Sequence, residues 1–335
     1  MFDAVVRRYN AGLPRRPPAV KRLASLILLS AACAAPFTHA AEPALTMRVH
    51  DLASAFQQVA DRHAGKLDAA VADFKATIVP RFPQFYGPER YAGKISEAER
   101  DAQLAKAFAG FPAIRSAYIK KVANFTQDLP RHIATFRAAF PDYSASTDIW
   151  FLHSLGEMDG GTRTFDGKNF FIFGTDVMVQ AHGNGDEAAF FHHELFHDYQ
   201  ALNCNGGPVW AAVWEEGLAT YVSKRLNPNA TDAELLLDLP HGLVPDTRKQ
   251  LQRALDDLLA KLDSTDGEAV AGLFQRRGDK TGLPARRAYY LGYLVAEEVG
   301  KTMSMREMAK LDCAAVKLVV VAAIERLRSA QPADK

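Results

Sequence analysis

Apolar residues between residues 45 and 79 recur at steps of three and four, which is the spacing of one face of an α-helix. They are Leu52, Phe56, Val59, Leu67, Val71, Phe74 and Ile78. The same spacing predicts three further helices, over residues 96–108, 113–126 and 130–140. Ser96 and Glu99 form a capping-box pattern at the start of the first of them. The chain from residue 41 to residue 147 is therefore predicted to be helical.

The pattern changes at residue 148, where short apolar runs replace the helical periodicity. Residues 149–152 and 170–173 are β-rich runs, and a turn-rich stretch that contains Gly160-Gly161 separates them. Residues 176–180 are a candidate extension of the second run. Two or three strands of a small mixed or antiparallel sheet are predicted here.

Helical periodicity returns after residue 225. It predicts helices over residues 232–239, 246–262, 268–276, 284–299 and 304–327. The apolar run near the end of the chain is too short for a membrane span, which needs about 20 apolar residues, so it is predicted to be a buried helix. Taken together, the patterns predict an α+β fold that is mostly helical.

Composition places the chain among globular proteins. It has 335 residues, of which 48% are hydrophobic and 24% are charged, enough for one large domain or two packed subdomains. The formal net charge is +1. Because nucleic-acid and anionic-membrane binding need a basic face, we expect neither kind of partner.

The first forty residues have the pattern of a secretory signal peptide. Lys21-Arg22 precedes an apolar run over residues 23–35, and small residues follow up to Ala40. The run is shorter than a membrane span, so we expect cleavage and a periplasmic or secreted protein without a stable membrane span. A retained anchor and a lipoprotein are the alternatives. Val20 is a candidate translation start, in which case residues 1–19 are a mis-annotated extension of the protein.

Removal of this segment takes Cys33 away and leaves Cys204 and Cys313. In an oxidising compartment two remaining cysteines are commonly paired, so a Cys204–Cys313 disulfide is predicted. Two buried free thiols are the alternative that the sequence leaves open.

The strongest chemical pattern is His193-Glu194-x-x-His197. Residues four apart in a helix are separated by about 6 Å of rise and lie on nearly the same face, so both imidazoles can reach one metal ion. Glu194 lies about 100° around the helix, beside the metal, where its carboxylate can accept a proton from a zinc-bound water. The motif therefore predicts a zinc site with Glu194 as general base.

A third ligand is predicted on a second helix, with eighteen residues between it and His197. Glu216 lies there on a second apolar-periodic helix, in the sequence Trp-Glu-Glu-Gly-Leu-Ala-Thr-Tyr. A catalytic zinc takes three protein ligands and one open position, and two histidines with one glutamate are a known set. Glu215, its neighbour on the same helix, is the alternative ligand.

These two motifs resemble the gluzincin metallopeptidases, and the second is most similar to the W-x-N-E-G-[FL]-A-[ST]-Y segment of the gluzincin aminopeptidases. Uncharacterised families of predicted zinc proteases have a similar arrangement. The resemblance covers residues 148–311, with Glu215 in place of the usual Asn. It implies a zincin-like fold, a Zn²⁺ cofactor held by His193, His197 and Glu216, and hydrolysis of a peptide or protein substrate.

The resemblance also implies an oxyanion donor. Residues 286–293 resemble the Y-x-x-G helix of these enzymes, and matching on Gly292 selects Tyr289 as a second catalytic residue beside Glu194. An ordinary aromatic helix face is the alternative. Residues 169–173 are predicted to be the sheet edge that aligns an extended substrate, because the equivalent gluzincin strand shortly precedes the zinc helix.

Residues 156–159 resemble the G-x-M-E-N exopeptidase motif but lie too far before His193, and Lys168 stands where the family spacing favours an acid. Aminopeptidase activity is therefore not predicted. The histidines outside the motif are expected to have surface or supporting roles; they are His153, His182 and His192.

The predicted organisation is a signal peptide at 1–40, a helical region at 41–147, a zincin catalytic core at 148–230 and a helical region at 231–335 that completes the active-site cleft. Two alternatives to a zinc peptidase remain. One is a non-peptidase or inactive protein on the same zincin scaffold. The other is a helical periplasmic binding or scaffold protein in which the motif is accidental.

Overall fold

The computed structural model describes residues 47–331 except 146, 183–184, 201, 203 and 205–206. The predicted signal peptide lies outside the described residues. The fold is α+β and mostly helical, with helices before and after a small mixed sheet, as the sequence predicts.

The sheet has four strands in the order β1-β2-β4-β3. They are β1 (Val49–Asp51), β2 (Ile149–Leu152), β3 (Gly160–Phe165) and β4 (Lys168–Gly174). Strands β1, β2 and β4 are parallel, and β3 pairs with β4 in the antiparallel direction. Strand β1 was not predicted, and it brings the N-terminal region into the sheet beside β2.

The predicted substrate-binding edge at residues 169–173 is wrong. Phe171 pairs with Ile149 on one side and with Thr162 on the other, so β4 is an interior strand. Strands β1 and β3 are the two edges of the sheet. Strand β3, the edge beside β4, will be called the outer strand; the sequence analysis assigned it to turns because of its Gly160-Gly161 pair. A strand of polar and small residues has a weak local signal, and its pairing with β4 is what stabilises it.

The N-terminal part is helical, as predicted. Its helices are α1 (Ala53–Arg62), α2 (Leu67–Thr77), the short α3 (Pro83–Tyr86) and α4 (Glu97–Ala139), with 3-10 turns at Val79–Arg81 and Pro88–Tyr91. The capping box of Ser96 and Glu99 is confirmed at the start of α4.

Helix α4 replaces the three helices predicted between residues 96 and 140, and it contains Pro112 and Pro130. A proline inside a helix costs about 3 kcal/mol through its missing N–H and a clash with the preceding turn. Aromatic side chains along α4 are buried in the core on both sides of each proline; among them are Phe108, Phe111, Tyr118, Phe125 and Phe136. Their burial offsets the local cost, since tertiary packing supplies most helix stability in proteins.

Three helices follow the sheet: α5 (Thr175–His182), α6 (Ala188–Gln200) and α7 (Val209–Leu226). Residues 176–180 therefore begin a helix and do not extend β4. The buried carboxylate of Asp176 accepts hydrogen bonds from the backbone N–H groups of Ser154 (2.6 Å) and Gly156 (2.7 Å), which ties the start of α5 to the segment after β2.

The C-terminal part is again helical. Its helices are α8 (Leu243–Lys249), α9 (Leu251–Lys261), α10 (Gly267–Phe274), α11 (Arg287–Val299), α12 (Met305–Ala309) and α13 (Cys313–Ser329). The helix predicted over residues 232–239 is wrong, because the segment forms turns in which Leu236 has a φ of 57°. The helix predicted over residues 246–262 is divided into α8 and α9 at Gln250. The helix predicted over residues 304–327 is divided into α12 and α13, and the side chain of Asp312 caps α13.

The Cys204–Cys313 disulfide is confirmed, with a Cα–Cα distance of 5.7 Å. It joins the loop after α6 to the first residue of α13. Within the described ranges, no helix is both long and apolar enough to cross a bilayer. The predicted boundaries at residues 147/148 and 230/231 stay a prediction.

Candidate metal centre

Three side chains from α6 and α7 meet at one point. His193 Nε2 and His197 Nε2 are 3.0 Å apart, and Glu216 Oε2 lies 3.3 Å from the first and 3.6 Å from the second. Ligands at 2.0–2.1 Å around a tetrahedral zinc ion are separated from one another by about 3.3 Å. The three atoms therefore have the separations that one bound metal ion requires, and together they are a group that could hold one.

The chemistry of the donor set also fits a cation. Two imidazole nitrogens face each other, and Glu216 Oε2 is buried without a hydrogen-bond partner in the described part of the chain. Burial alone raises the pKa of Glu216, but His197 and His193 lower it more, so the carboxyl group has a pKa below its usual range. A buried carboxylate beside two nitrogen lone pairs is stabilised by a bound cation.

Local sequence explains why the histidines converge. Phe191, Leu195 and Phe196 on α6 are fully buried in the aromatic core, which fixes the rotation of the helix. The four-residue spacing of His193 and His197 then places both rings on one face of α6, opposite α7. His197 is the more accessible of the two.

Thr220 orients the first histidine, and the sequence analysis missed it. Its hydroxyl donates to the carbonyl oxygen of Glu216 (2.8 Å) and lies 3.5 Å from His193 Nδ1. Because the hydroxyl proton is used, the oxygen lone pair faces Nδ1 and favours the tautomer with the proton there. The Nε2 lone pair of His193 is then directed at the metal position. The sequence feature that could have indicated this role is the position of Thr220 four residues after Glu216, on the same face of α7.

Glu194 lies against the outer strand of the sheet. A Cβ atom built on Gly161 would be 3.3 Å from Glu194 Oε2, so β3 passes directly beside this carboxylate. Glu194 is 4% exposed. The sequence analysis placed residues 156–159 too far before His193 to match the exopeptidase motif. These residues directly precede β3, and the β3–β4 hairpin folds back so that β3 lies beside Glu194. Lys168 lies at the far end of the hairpin, paired with Phe165.

A buried charged network holds the start of β3 to the start of α6. His182 bridges Asp159 (3.2 Å) and Glu187 (2.9 Å), and Lys121 of α4 pairs with Glu187. Burial lowers the pKa of His182, but the two carboxylates raise it more, to about 9. The imidazole is therefore protonated at neutral pH. His182 has a supporting role, as expected, and is outside the ligand group.

The other histidines also lie outside the ligand group. His192 Nε2 is 2.9 Å from the carbonyl oxygen of His132, and the ring of His153 stacks on Phe56 at 3.9 Å. Glu216, and not Glu215, is the glutamate of the converging group.

Tyr289 lies on α11, the helix that packs against α7. Helices α7 and α11 touch through Gly217 and Gly292, since a Cβ on Gly217 would lie 2.2 Å from the carbonyl carbon of Gly292. Burial raises the pKa of Tyr289 well above its usual value, and the charges of Glu216 and Glu194 raise it further while Arg286 opposes them.

The neighbouring phenols of α11 point elsewhere. Arg248 Nε donates to the hydroxyl of Tyr290 (2.5 Å), and the hydroxyl of Tyr293 donates to Glu297 (2.9 Å).

No family model, curated protein or solved structure matches this chain. The functional argument therefore depends on the geometry of the site itself.

Proposed function

We propose that the protein is a zinc-dependent metallohydrolase, and specifically a gluzincin-like peptidase. The observation that carries the proposal is the convergence of His193, His197 and Glu216 at metal-ligand separations. Two further observations support hydrolysis over metal storage: Glu194 follows His193 on α6 and lies beside the outer strand, and Tyr289 is buried on α11, which packs closely against the helix of Glu216.

His193, His197 and Glu216 would hold the ion. Zinc supplies a water of lowered pKa and polarises a carbonyl oxygen. Glu194 accepts the proton of the attacking water and later donates it to the leaving amine. Tyr289 donates a hydrogen bond to the oxygen on which negative charge develops, and its raised pKa keeps it protonated for this task.

Strand β3 is the proposed substrate-binding edge. Among the described residues β3 pairs with β4 alone, so its other side can pair with an extended peptide through main-chain hydrogen bonds. Gly161 brings that backbone close to Glu194 because it lacks a side chain, and its φ of 125° disfavours any other residue there. An extended peptide on β3 would therefore carry its scissile carbonyl past Glu194.

We propose a periplasmic or secreted location. The Cys204–Cys313 disulfide supports this, since structural disulfides are typical of oxidising compartments.

Glu194→Gln tests the function. Gln keeps the shape of Glu but cannot accept a proton, so we expect unchanged zinc content and a loss of peptide cleavage of about 10²–10⁴-fold. The assay uses a mixed peptide library with mass-spectrometric detection, and zinc is measured by elemental analysis. Glu215→Gln, the same change at the neighbouring glutamate of α7, is the matched control.

Two outcomes would contradict the proposal. Full activity in Glu194→Gln would exclude the general-base role. Stoichiometric zinc without cleavage of any peptide by the wild-type protein would favour the second candidate, an inactive or non-peptidase protein on the same metal-binding scaffold.

A further inference from the structure

The buried charged network connects the outer strand to the metal-binding helix through four side chains. In order, they are Lys121 on α4, Glu187 at the start of α6, His182 at the end of α5 and Asp159 just ahead of β3. Lys121 pairs with one oxygen of Glu187, and the other oxygen lies 2.9 Å from His182 Nδ1. His182 Nε2 lies 3.2 Å from Asp159 Oδ2. Each of the four side chains is at most 5% exposed, so their charges must balance one another inside the protein.

The geometry around His182 requires a protonated imidazole, because both of its ring nitrogens face carboxylate oxygens. A neutral imidazole has one N–H donor, so its second nitrogen would direct a lone pair at a carboxylate. Protonation supplies a donor on each side and gives the network two positive and two negative charges. Burial lowers the pKa of His182, and the carboxylates of Asp159 and Glu187 raise it by more, to about 9. The imidazolium therefore bridges the two carboxylates at neutral pH.

Both bridged carboxylates are close to the proposed general base along their own elements. Asp159 precedes Gly161 by two residues, and a Cβ atom on Gly161 would be 3.3 Å from Glu194 Oε2. Glu187 precedes Glu194 by seven residues, which is about two helical turns and the same face of α6. The His182 bridge therefore fixes β3 relative to α6 close to the point where the strand passes Glu194.

Apolar packing between the strand and the helix does not supply this alignment by itself. Gly160 lies against the ring of Phe190, with its Cβ position 2.5 Å from the ring atom Cζ. A glycine on a phenyl ring is held by dispersion and burial, which are not directional. Charge-assisted hydrogen bonds are directional and roughly twice as strong as neutral ones. The bridge through His182 is thus the contact that can set the position of β3 along the helix.

We propose that His182 is a positioning residue for catalysis: by bridging Asp159 and Glu187, it holds the outer strand where an extended substrate meets Glu194. The inference rests on the proposed peptidase function and adds a residue that does not touch the substrate. The effect passes through β3, so it increases with the length of peptide that pairs with this strand. Zinc affinity does not depend on the bridge, because the ligand group on α6 and α7 lies outside the network.

The experiment compares two peptides in the full zinc-loaded protein. One is an octapeptide with a sequence that the library shows to be cleaved, and the other is its central tetrapeptide. Both are acetylated and amidated, so their termini carry no titrating group. The readout is the ratio of kcat/KM for the octapeptide to kcat/KM for the tetrapeptide. A change in zinc content or in the general base alters both values and cancels, whereas a displaced β3 lowers the ratio.

We expect His182→Gln to lower this ratio by about 10–10²-fold, since a displacement of about 1 Å can cost 10²-fold in rate. His182→Arg keeps the positive charge and can donate to both carboxylates, so it should restore most of the ratio. Zinc content should be unchanged in both variants.

The matched control is His153→Gln. The side chain of His153 is also 5% exposed and also faces a buried carboxylate, with Nδ1 3.5 Å from Asp176 Oδ2. Burial lowers the pKa of His153, so its imidazole is neutral at neutral pH and the substitution removes no charge. It also lies outside the network. We expect the peptide ratio of this variant to equal that of the wild type.

The pH dependence of the wild-type ratio is a second test that needs no variant to fold. The charged groups that face His182 are Asp159 from the β3 side and Glu187 from α6, with Lys121 of α4 behind Glu187. The pKa of His182 lies above the ordinary histidine value of about 6.5. Stabilisation by the bridge is therefore fully present below about pH 6.5 and is lost as the pH rises through about 9. We expect the wild-type ratio to fall across that upper limit and the His182→Arg ratio to stay constant.

Hydrogen–deuterium exchange of the metal-free protein measures the bridge without catalysis. Backbone amides of residues 160–165 should exchange about tenfold faster in His182→Gln and at the wild-type rate in His153→Gln. Unchanged exchange with an unchanged peptide ratio in His182→Gln would overturn the positioning role and leave the peptidase proposal intact. If this variant does not fold, a wild-type ratio that stays constant through pH 9 would overturn the role instead. If the wild-type protein cleaves no peptide, the peptidase proposal fails, and exchange alone decides whether His182 holds the strand.

Discussion

The contact between α7 and α11 gives the sharpest structural prediction, because it joins the helix of Glu216 to the helix of Tyr289. A Cβ atom on Gly217 would lie 2.2 Å from the carbonyl carbon and 2.3 Å from the oxygen of Gly292. Ordinary contact begins at 3.4 Å, so Gly217→Ala forces the helices apart by about 1.2 Å. Both clashing atoms belong to the backbone and cannot move away by a side-chain rotation.

The change in the free energy of unfolding of Gly217→Ala has two opposing contributions. Replacing a helix-interior Gly by Ala stabilises a helix by about 1 kcal/mol. Overpacking a close backbone contact costs about 3 kcal/mol, the upper end of the usual range. We therefore expect a net loss of about 2 kcal/mol, which for a chain of this length corresponds to a Tm lower by about 3 °C, since the entropy of unfolding is about 2.1 cal/mol/K per residue.

The matched control is Gly110→Ala in α4. Gly110 is exposed and no atom lies within 4 Å of the Cβ position, so only the propensity term acts. We expect this variant to be stabilised by about 0.5–1 kcal/mol. Both are measured by thermal and denaturant unfolding monitored by circular dichroism. If Gly217→Ala were as stable as Gly110→Ala, the close approach of α7 and α11 would be refuted.

Three further predictions concern the site. Glu216→Ala should lose most of the zinc in elemental analysis after dialysis and Glu215→Ala should keep it, because only Glu216 converges with the histidines; exchanged results would shift the ligand by one residue. Tyr289→Phe should lower kcat by about 10²–10³-fold at unchanged zinc content, the usual cost of one oxyanion donor. Tyr293→Phe should stay near wild type, and the reverse would move the donor to Tyr293. Thr220→Val should weaken zinc binding by about tenfold in a competitive chelator titration, since it removes the group that orients His193; unchanged affinity would show that the hydroxyl does not orient this ligand.

Local sequence indicated the candidate metal-binding group of His193, His197 and Glu216. The spacing of His193 and His197 is a property of one helix, so periodicity alone predicts that both rings share a face. Glu216 came from a second motif, and its apolar context predicted the helix that carries it. The Cys204–Cys313 pair followed from counting cysteines, although only the fold could bring together two residues 109 positions apart.

Tertiary packing determined two elements that local sequence predicted wrongly. Residues 160–165 are polar and small, so their signal was that of a turn, and pairing with β4 made them a strand. As a result, the edge of the sheet on this side is β3 and not β4. In the same way, packing of an aromatic face kept α4 continuous through Pro112 and Pro130, where local propensity predicts helix ends.

The sequence by itself determined the fold class, most helices and the candidate ligand residues, because the helices follow from periodicity within single elements and the candidate ligands from motifs on two of them. Only the tertiary structure decided that β3 lies at the edge beside β4, that Thr220 faces His193 and that β3 passes close to Glu194. These features depend on contacts between elements far apart in the chain. Such contacts are set by the packing of whole helix and sheet faces, and no local pattern of residues encodes them.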